Sequence, residues 1–401
     1  MVQTQRALLT LIGFSVSSLV PLQALANHRT GSEILPELIA VSDFNQDGNK
    51  DLAVNCTGFD NVAILFGDGK GGFTLGGHFS TGTLPKGLQV GDVNRDGRLD
   101  LVTCNNWGYD ETVLLGDGRG RFHSAAPPNE VDGDGEPVRL LLLDLNKDNK
   151  LDLAIGAPEE DTLVIYFGDG RGGFPSPAEE IEVLSNPFAL ASGDLNGDGN
   201  PDIAILHPHQ SSARSQLSIL LGDGTGQFTT SAIDVPDAPS SVQMADFNRD
   251  GKQDLIVAGA LPENSTGSFL AIYLGDGTGR VALVQNLDLG MASSKGEIAV
   301  GDFNEDGIPD VAWPKASVQV HGSHGTEILI FFGDGTGKLV AGPALTVGEE
   351  PHTVVTADLN NDRHLDLADT NRTDGTVSCL LGDGHGNFTV SSVTSVLSPN
   401  P

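Results

Sequence analysis

The sequence predicts an all-β protein built from seven repeats, because three patterns run in phase along it. A nine-residue acidic pattern, D-x-N-x-D-x-x-x-D, occurs seven times at spacings of 49 to 56 residues, beginning at Asp43, Asp92, Asp144, Asp194, Asp246, Asp302 and Asp358. A second pattern, Gly-Asp-Gly-x-Gly, alternates strictly with the first and begins at Gly67, Gly116, Gly168, Gly222, Gly275, Gly333 and Gly382. Seven residues before each acidic pattern stands a proline, as Pro36, Pro85, Pro137, Pro187, Pro239 and Pro351, with Lys295 in its place in unit six. Self-similarity at such a period indicates a repeat architecture.

Each unit contains short apolar segments with the length and composition of strands. In unit one, three of these segments are residues 38–41, 52–54 and 62–66, rich in Val, Ile, Leu and Phe. The acidic pattern separates strands one and two, the Gly-Asp-Gly pattern separates strands three and four, and helix-length periodic segments are absent. Seven such units suit a seven-bladed β-propeller of four-stranded antiparallel blades that pack face to face around an axis.

The repeats begin near residues 36, 85, 137, 187, 239, 295 and 351, so we expect a single propeller over residues 27–401. The last unit contains its own fourth strand, at about 388–396, and ring closure therefore needs no strand exchange between the termini. Blades one and seven are expected to meet by side-chain packing. In an antiparallel meander, the acidic loops and the Gly-Asp-Gly turns lie on one face of the ring, here named the loop face. The connections between strands two and three lie on the opposite face.

Residues 1–26 have the pattern of a secretory signal peptide. Arg6 precedes an apolar run over residues 7–20, and Ala24-Leu25-Ala26 is a small-residue cleavage pattern. The run is short for a membrane span, and no second hydrophobic segment of spanning length follows. We therefore expect a secreted, periplasmic or cell-surface protein without a transmembrane segment.

The charge balance favours cations over anions as partners. The chain has 54 Asp and Glu residues against 22 Lys and Arg, a formal net charge of -32. Such a surface repels nucleic acid and anionic membranes, so no nucleic-acid partner is expected. Hydrophobic residues make up 38% of the chain, which excludes a disordered acidic tail. We expect the folded protein to be a monomer.

The acidic loops have the composition of calcium sites. Ca²⁺ takes six to eight oxygen ligands, and each loop offers side-chain oxygens at positions one, three, five and nine, with the position-seven carbonyl as a backbone ligand. Position six is Gly in five of the seven loops, which permits a positive φ there. We therefore predict up to seven Ca²⁺ ions. The predicted ligands are Asp43, Asn45, Asp47, Asp51, Asp92, Asn94, Asp96, Asp100, Asp144, Asn146, Asp148, Asp152, Asp194, Asn196, Asp198, Asp202, Asp246, Asn248, Asp250, Asp254, Asp302, Asn304, Asp306, Asp310, Asp358, Asn360, Asp362 and Asp366.

An alternative to calcium binding is that Asp, Asn and Gly simply make good hairpin turns. Against it, three aspartates within nine residues repel one another unless a cation lies between them. Loop three has Asn149 at position six, which tolerates left-handed geometry, whereas Arg363 in loop seven adds strain and a competing charge. The aspartates of the Gly-Asp-Gly turns could extend the ligand sets, but turns capped by these side chains are the favoured interpretation.

The chain resembles the FG-GAP and VCBS repeat family, which includes the N-terminal propeller of integrin α subunits. The pairs Phe66-Gly67 and Phe167-Gly168, the triplet Gly156-Ala157-Pro158 and the seven phased loops carry this resemblance, which covers residues from about 34 to 397. It implies the propeller fold. It is less specific for function, because family members include adhesion proteins, lectins and propellers attached to polysaccharide lyases.

The connections between strands two and three are longer in units four, five and six than elsewhere, near residues 207–214, 261–268 and 318–326. We expect them to form one raised rim on the opposite face, where a partner could bind, although surface loops also tolerate insertions without any role. They contain His207, His209, His321 and His324, for which solvated loop positions are favoured over a Zn²⁺ or Cu²⁺ site.

The tryptophans of units two and six have different expected roles. Trp107 and Tyr109, in the connection between strands two and three of unit two, could stack on a sugar ring. Trp313 aligns with Val54 and Ile155 in strand two, and we predict that it lies in the core.

The leading functional hypothesis is a secreted calcium-binding β-propeller that acts as a binding or adhesion module for a glycan or an extracellular protein. The alternative is a polysaccharide-active enzyme, a lyase-like propeller that uses calcium, and a third possibility is a structural domain without a partner. No Ser or Cys nucleophile stands at a recognisable motif spacing from a His. No catalytic residue is therefore predicted. The seven acidic loops have similar composition and none is conspicuously opened for a substrate, which favours binding over catalysis.

The three cysteines allow a disulfide hypothesis, since export makes oxidation possible. Strand alternation places Cys56 and Cys104 on opposite blade faces in adjacent blades, where they could face one another between blades one and two. Cys379 in blade seven also borders blade one. The alternative is three buried free thiols.

Overall fold

The computed structural model confirms a seven-bladed β-propeller of four-stranded antiparallel blades. It describes residues 35–125, 139–175, 179–208, 214–260, 267–290, 296–315 and 325–397, which belong to one compact unit over Ile34–Pro401. These residues contain 28 strands and no helix. No described segment therefore offers an apolar helix of the length needed to cross a membrane. The proposed signal peptide lies outside the described residues, as does Pro137.

Each blade is a sheet of four consecutive strands. Blades one and two consist of β1 (Pro36–Ser42), β2 (Asp51–Cys56), β3 (Asn61–Gly67), β4 (Phe73–Ser80), β5 (Pro85–Gly91), β6 (Asp100–Asn105), β7 (Asp110–Gly116) and β8 (Phe122–Ser124). Blades three and four consist of β9 (Arg139–Leu143), β10 (Asp152–Ala157), β11 (Thr162–Tyr166), β12 (Glu179–Glu182), β13 (Ala189–Gly193), β14 (Asp202–His207), β15 (Gln216–Gly222) and β16 (Phe228–Asp234). Blades five to seven consist of β17 (Pro239–Ala245), β18 (Asp254–Ala260), β19 (Ser268–Gly275), β20 (Val281–Gly290), β21 (Ala299–Gly301), β22 (Asp310–Lys315), β23 (Glu327–Gly333), β24 (Leu339–Thr346), β25 (Pro351–Ala357), β26 (Asp366–Asn371), β27 (Thr376–Gly382) and β28 (Phe388–Ser395).

The first strand of each blade lines the axis of the ring. Strand β1 contacts both β5 and β25, and β9 contacts both β5 and β13. The register prolines Pro36, Pro85, Pro239 and Pro351 are the first residues of their strands, a position where the missing N–H costs no ladder bond. Each of these four strands has a register shift directly after its proline, which the sequence patterns do not indicate.

The core of the protein is divided into seven hydrophobic clusters, one at each junction between neighbouring blades. The strands alternate side chains between two blade faces, and both faces are covered, so strand two is buried along almost its whole length in every blade. Trp313 is fully buried in the cluster between blades five and six, which confirms it as a core residue.

The ring closes by packing, as the repeat boundaries predict. Within the described part of the chain, blade seven is the sheet β25-β26-β27-β28 and contains no strand from another blade. Ile39 and Val54 of blade one pack with Val377 of blade seven in the closing cluster. The Thr370 hydroxyl donates to the Glu37 carbonyl at 2.9 Å, and the Ser392 hydroxyl donates to the Gly71 carbonyl at 2.7 Å.

The proposed Cys56–Cys104 pairing is wrong. Cys56 lies in the cluster between blades one and seven, whereas Cys104 lies in the cluster between blades two and three. The two side chains are on opposite blade faces, as strand alternation requires, but each points away from the junction that their blades share. Cys379 shares the cluster of Cys56, and all three residues are buried free thiols whose pKa is raised by burial to about 12.

Candidate metal loops

The seven acidic loops connect the first strand of each blade to the second and share one hydrogen-bond pattern. In loop one, the position-five N–H, from Asp47, donates to Asp43 Oδ1 at 3.1 Å and to Asn45 Oδ1 at 2.8 Å. The N–H groups of Gly48 and Asn49 donate to Asp43 Oδ2 and Asp47 Oδ1. The corresponding four bonds recur in the other six loops. The side chains at positions one, three and five therefore fold the loop around their own oxygens.

Two positions in each loop have left-handed backbone conformation. Position six does so in every loop, including Asn149 at φ 62° and Arg363 at φ 76°, which confirms the geometry expected from its glycines. Position four does so as well, although only Gly197 in loop four is a glycine there; Gln46, for example, has φ 58°. The sequence patterns did not indicate position four, because its residue types vary from loop to loop.

The aspartate at position nine is the first residue of strand two, and it is fully buried in all seven blades. In blade one, Asp51 Oδ2 accepts from the Phe44 N–H and Oδ1 accepts from the Gly67 N–H, both at 3.0 Å. Equivalent pairs of bonds, at 2.8–3.0 Å, occur in the other six blades. One carboxylate thus joins the acidic loop to the Gly-Asp-Gly turn and places both on the loop face, as predicted.

Burial and neighbouring carboxylates make the position-nine charge costly. In four blades the pKa of this carboxyl is raised to about 6, at Asp51, Asp100, Asp310 and Asp366. Burial is the main cause and the aspartates of the same loop also raise the pKa, whereas the two amide hydrogen bonds lower it. The pKa values of Asp152, Asp202 and Asp254 are raised for the same first reason. A cation near these carboxylates would remove much of this cost.

The donor chemistry of the loops fits a hard divalent cation. Every loop concentrates carboxylate and amide oxygens, the ligands that such a cation prefers. In the bonds described above, each carboxylate oxygen at position nine accepts one N–H, so a second lone pair remains for a cation. The described residues do not, however, include three His, Cys, Asp or Glu side chains already gathered as a metal site. In loops two, three and five, a basic side chain at position seven also contacts the position-five aspartate, as Lys150 Nζ does with Asp148 at 2.7 Å.

The Gly-Asp-Gly turns are capped by their own aspartates. Asp68 Oδ1 accepts from the N–H groups of Lys70 and Gly72 at 2.8 and 2.9 Å, and the aspartates of the other six turns accept backbone N–H groups in the same way. This confirms the capping expected from sequence. These bonds hold the pKa of Asp68 below its usual value.

The glycines of these turns are required by close packing. A Cβ on the first glycine would meet the position-eight carbonyl of the same blade, at 2.1 Å for Gly116 and Leu99 O. A Cβ on the last glycine would meet a side chain of the previous blade, the one directly before that blade's own Gly-Asp-Gly turn. For Gly120, this Cβ would be 2.1 Å from the Phe66 ring. Both relations recur around the ring, so the Phe or Leu before each Gly-Asp-Gly fits against a glycine of the next blade.

On the opposite face, the described residues support some of the predicted positions and correct one. His207 is buried at the end of β14, with Nδ1 3.3 Å from the Ser185 carbonyl oxygen, so its assignment as a solvated loop residue is wrong. Strand two continues through this position, and burial lowers the pKa of the imidazole to about 4. His209, His321 and His324, with most of the three long connections, lie outside the described residues.

An aromatic group on the opposite face includes one residue that the sequence reasoning missed. Trp107 and Tyr109 are half-buried in the turn between β6 and β7, and Phe59, in the equivalent turn of blade one, is 56% exposed. The segment between the blades holds these turns together: Leu84 N–H donates to Asp60 Oδ1 at 2.8 Å, and Trp107 N–H donates to the Thr83 carbonyl at 3.2 Å.

A network of charged side chains lies near the axis on the opposite face, at the starts of first strands and, for Arg372, directly after β26. Glu37 is nearly buried and binds Lys86 Nζ at 2.7 Å and Arg372 Nη2 at 3.1 Å. Arg139 Nε lies 3.0 Å from Glu297 Oε1, which joins blade three to blade six across the axis. Burial would raise the pKa of Glu37, but the nearby cations hold it below its usual value. Glu37 and Lys86 each directly follow a register proline, a signal that the sequence analysis did not use.

The family-model comparison matches FG-GAP-like repeats at residues 43–103, 144–205, 210–257 and 246–313, together more than half of the chain. The protein belongs to the FG-GAP-like repeat family. Comparison with curated proteins gives no match.

Solved structures with the same fold have low sequence identity to this chain. A chain of the hydrazine synthase of Kuenenia stuttgartiensis is 15% identical with a TM-score of 0.59, and the match covers 90% of this chain and 96% of that one. A protein of Lactobacillus plantarum is 11% identical with a TM-score of 0.56, over 90% and 96% of the two chains. A functionally unknown protein of Desulfotomaculum acetoxidans is 11% identical with a TM-score of 0.53, over 78% and 89%. These similarities show the fold alone.

The close packing of the first turn glycine can be tested with a matched pair of variants. Gly116→Ala places a Cβ 2.1 Å from a backbone carbonyl, whereas Gly97→Ala, at φ 81°, meets nothing within 4 Å. We expect Gly97→Ala to cost about 1–2 kcal/mol from left-handed strain alone. Gly116→Ala should cost more than about 3 kcal/mol, at the upper end for overpacking. Denaturant unfolding measures the free energy of unfolding of both variants. An equal loss of stability in Gly97→Ala and Gly116→Ala would contradict the close packing of the first glycine.

The burial of His207 predicts a pH dependence. Its folded pKa, about 4, lies below the unfolded value of about 6.5, so its contribution to stability is present above pH 6.5 and is lost as the pH falls toward 4. Between pH 7.5 and pH 5 the free energy of unfolding of the parent should therefore fall by about 2 kcal/mol more than that of His207→Asn. The control is His123→Asn, which removes an exposed imidazole. Parallel stability curves for the parent and His207→Asn would refute the assignment.

Proposed function

We propose that this protein is an exported calcium-binding propeller that acts as a binding module, with calcium on the loop face and a glycan on the opposite face. The observation that carries the calcium proposal is the sevenfold repetition of one loop geometry that ends in a buried aspartate. Hairpin turns alone do not need an acid at position nine, where burial and neighbouring carboxylates oppose its charge. The N-terminal signal pattern is consistent with calcium-rich surroundings outside the cell.

The residues of each loop would divide the work of holding the ion. The side chains at positions one, three and five fold the loop, and the position-nine carboxylate anchors it to the blade. Bound Ca²⁺ would supply the positive charge that offsets the clustered carboxylates. Since the position-nine aspartate also binds the Gly-Asp-Gly turn, ordering of a loop would be transmitted to strands two and three of its blade.

The aromatic group on the opposite face supports a glycan partner. Phe59, Trp107 and Tyr109 stand on adjacent turns that backbone and Asp60 hydrogen bonds hold in place. Aromatic faces stack on the apolar faces of sugar rings, and a rigid platform loses little entropy on binding. A neutral or weakly charged glycan suits a protein with a net charge of -32.

Calcium binding predicts a large stabilisation that depends on the acidic loops. At free Ca²⁺ tenfold above Kd, each site adds about 1.4 kcal/mol by mass action, so the melting temperature should rise strongly from EDTA to millimolar Ca²⁺. Asp96→Asn should lower the number of bound ions by one. The matched control Asp117→Asn changes an exposed aspartate of the neighbouring turn in the same blade and should leave that number unchanged. Identical melting temperatures with and without Ca²⁺ would exclude the proposal.

The glycan surface predicts a loss of affinity from single aromatic substitutions. A glycan array identifies a bound sugar, and titration then measures its Kd for the parent, Phe59→Ala and Trp107→Ala. We expect each variant to bind roughly 10-fold more weakly, as for a buried aromatic contact. Val390→Ala, which trims a side chain 51% exposed on β28, is the control. Unchanged affinity in both aromatic variants would place the partner elsewhere, with the long connections of blades four to six the next region to shorten.

A further inference from the structure

The left-handed residue at position four of the acidic loops directs its side chain to the next blade. Gln46 Nε2 donates to the Gly97 carbonyl at 3.2 Å, and Arg249 Nη1 donates to the Asp306 carbonyl at 3.3 Å. Both contacts run from position four of one loop to position five or six of the following loop. Position four has a left-handed φ in both loops, 58° at Gln46 and 60° at Arg249.

Two further junctions have the same direction. Glu305 Oε1 in loop six contacts His364 Nδ1 at position seven of loop seven. Asn361 Nδ2 in loop seven donates to Asn49 Oδ1, at position seven of loop one, at 2.9 Å across the closure of the ring. Loops five, six, seven, one and two are therefore joined in an unbroken series by position-four side chains.

At the other three junctions, the described residues show no hydrogen bond from position four to the next loop. Arg95 and Lys147 lie against the next Gly-Asp-Gly turn, where an added Cβ on Gly170 or Gly224 would be 3.2 or 3.3 Å from their Cδ atoms. Loop four has Gly197 at this position, and a Cβ there would meet nothing within 4 Å. The junction between loops four and five thus has no position-four side chain, and there is room for one.

We propose that the position-four side chains couple calcium binding in neighbouring loops along the series of loops five, six, seven, one and two, and that this coupling is absent between loops four and five. The inference rests on the proposed calcium function. Position four lies between the predicted ligands at positions three and five, so an ion that orders one loop also fixes this side chain. The side chain then holds positions five to seven of the next loop, which supply a carboxylate and the predicted backbone ligand.

The expected size of the coupling follows from the contacts. One hydrogen bond on a partly exposed surface corresponds to roughly a 2- to 10-fold change in affinity between neighbouring loops. Because coupling between two binding sites is reciprocal, filling either loop should strengthen the other by the same factor. Such coupling would narrow the range of Ca²⁺ concentration over which the joined loops fill.

A double-mutant cycle on the 401-residue chain tests this inference. The amide NMR signal of Gly97 reports the Ca²⁺ affinity of loop two, and Asp47→Asn weakens binding in loop one. In the parent background, Asp47→Asn should weaken loop two by roughly 2- to 10-fold. In the Gln46→Gly background it should have no such effect. Gln46→Gly changes no charge and suits φ 58°, and Ala238→Gly, at φ 55° outside the loops, controls for the added glycine.

The junction without a side chain provides an independent test. Asp198→Asn in loop four should leave the Ca²⁺ affinity reported by Gly251 in loop five unchanged, and Gly197→Gln should make that affinity dependent on loop four. The coupling is refuted, while calcium binding stands, if the amides of Gly97 and Gly251 respond to Ca²⁺ but the two position-four substitutions have no effect. That is the case when Asp47→Asn still weakens loop two in the Gln46→Gly background and when Gly197→Gln does not make loop five depend on loop four. If neither amide responds to Ca²⁺ in the parent, both the calcium function and the coupling are refuted.

Discussion

The buried aspartate at position nine is the interaction on which each blade depends. Its two oxygens accept one N–H from the acidic loop and one from the Gly-Asp-Gly turn, so a single side chain closes both connections on the loop face. Without it, two buried backbone N–H groups in every blade would lose their partner, and an unsatisfied buried donor costs about 1–3 kcal/mol. The same burial raises the pKa of this carboxyl. A group needed for the blade is thus also the group whose charge most needs a nearby cation.

The blades are joined to one another at three radii. At the axis, ion pairs such as Glu37–Lys86 and Arg139–Glu297 connect first strands on the opposite face. Midway, seven hydrophobic clusters fill the junctions, and the one between blades one and seven closes the ring without strand exchange. Further out on the loop face, the side chain before each Gly-Asp-Gly fits against a glycine of the next blade. Apart from the Arg139–Glu297 pair across the axis, stability is therefore distributed over nearest-neighbour contacts, as expected for a repeat protein.

The two faces of the ring differ because the repeat constrains them differently. On the loop face, each residue of the acidic pattern has a partner in its own blade, so all seven copies keep the same geometry. On the opposite face, the connections between strands two and three vary in length and composition. The aromatic group of Phe59, Trp107 and Tyr109 belongs to this variable face. Recognition on a rigid scaffold is commonly carried by such connections.

The sequence by itself determined the number of blades, the four-strand order, the capped turns and the left-handed position six, because each depends on residue types that repeat at a fixed spacing. Only the tertiary structure decided which way a strand residue faces. Alternation placed Cys56 and Cys104 on different faces but could not say which junction each one enters. The tertiary structure also decided where strand two ends in blade four, and His207 is buried as a result. It likewise gave the variable residues at position four one shared backbone conformation. These features are set by contacts with a neighbouring blade or turn, and a pattern within one repeat does not contain that neighbour.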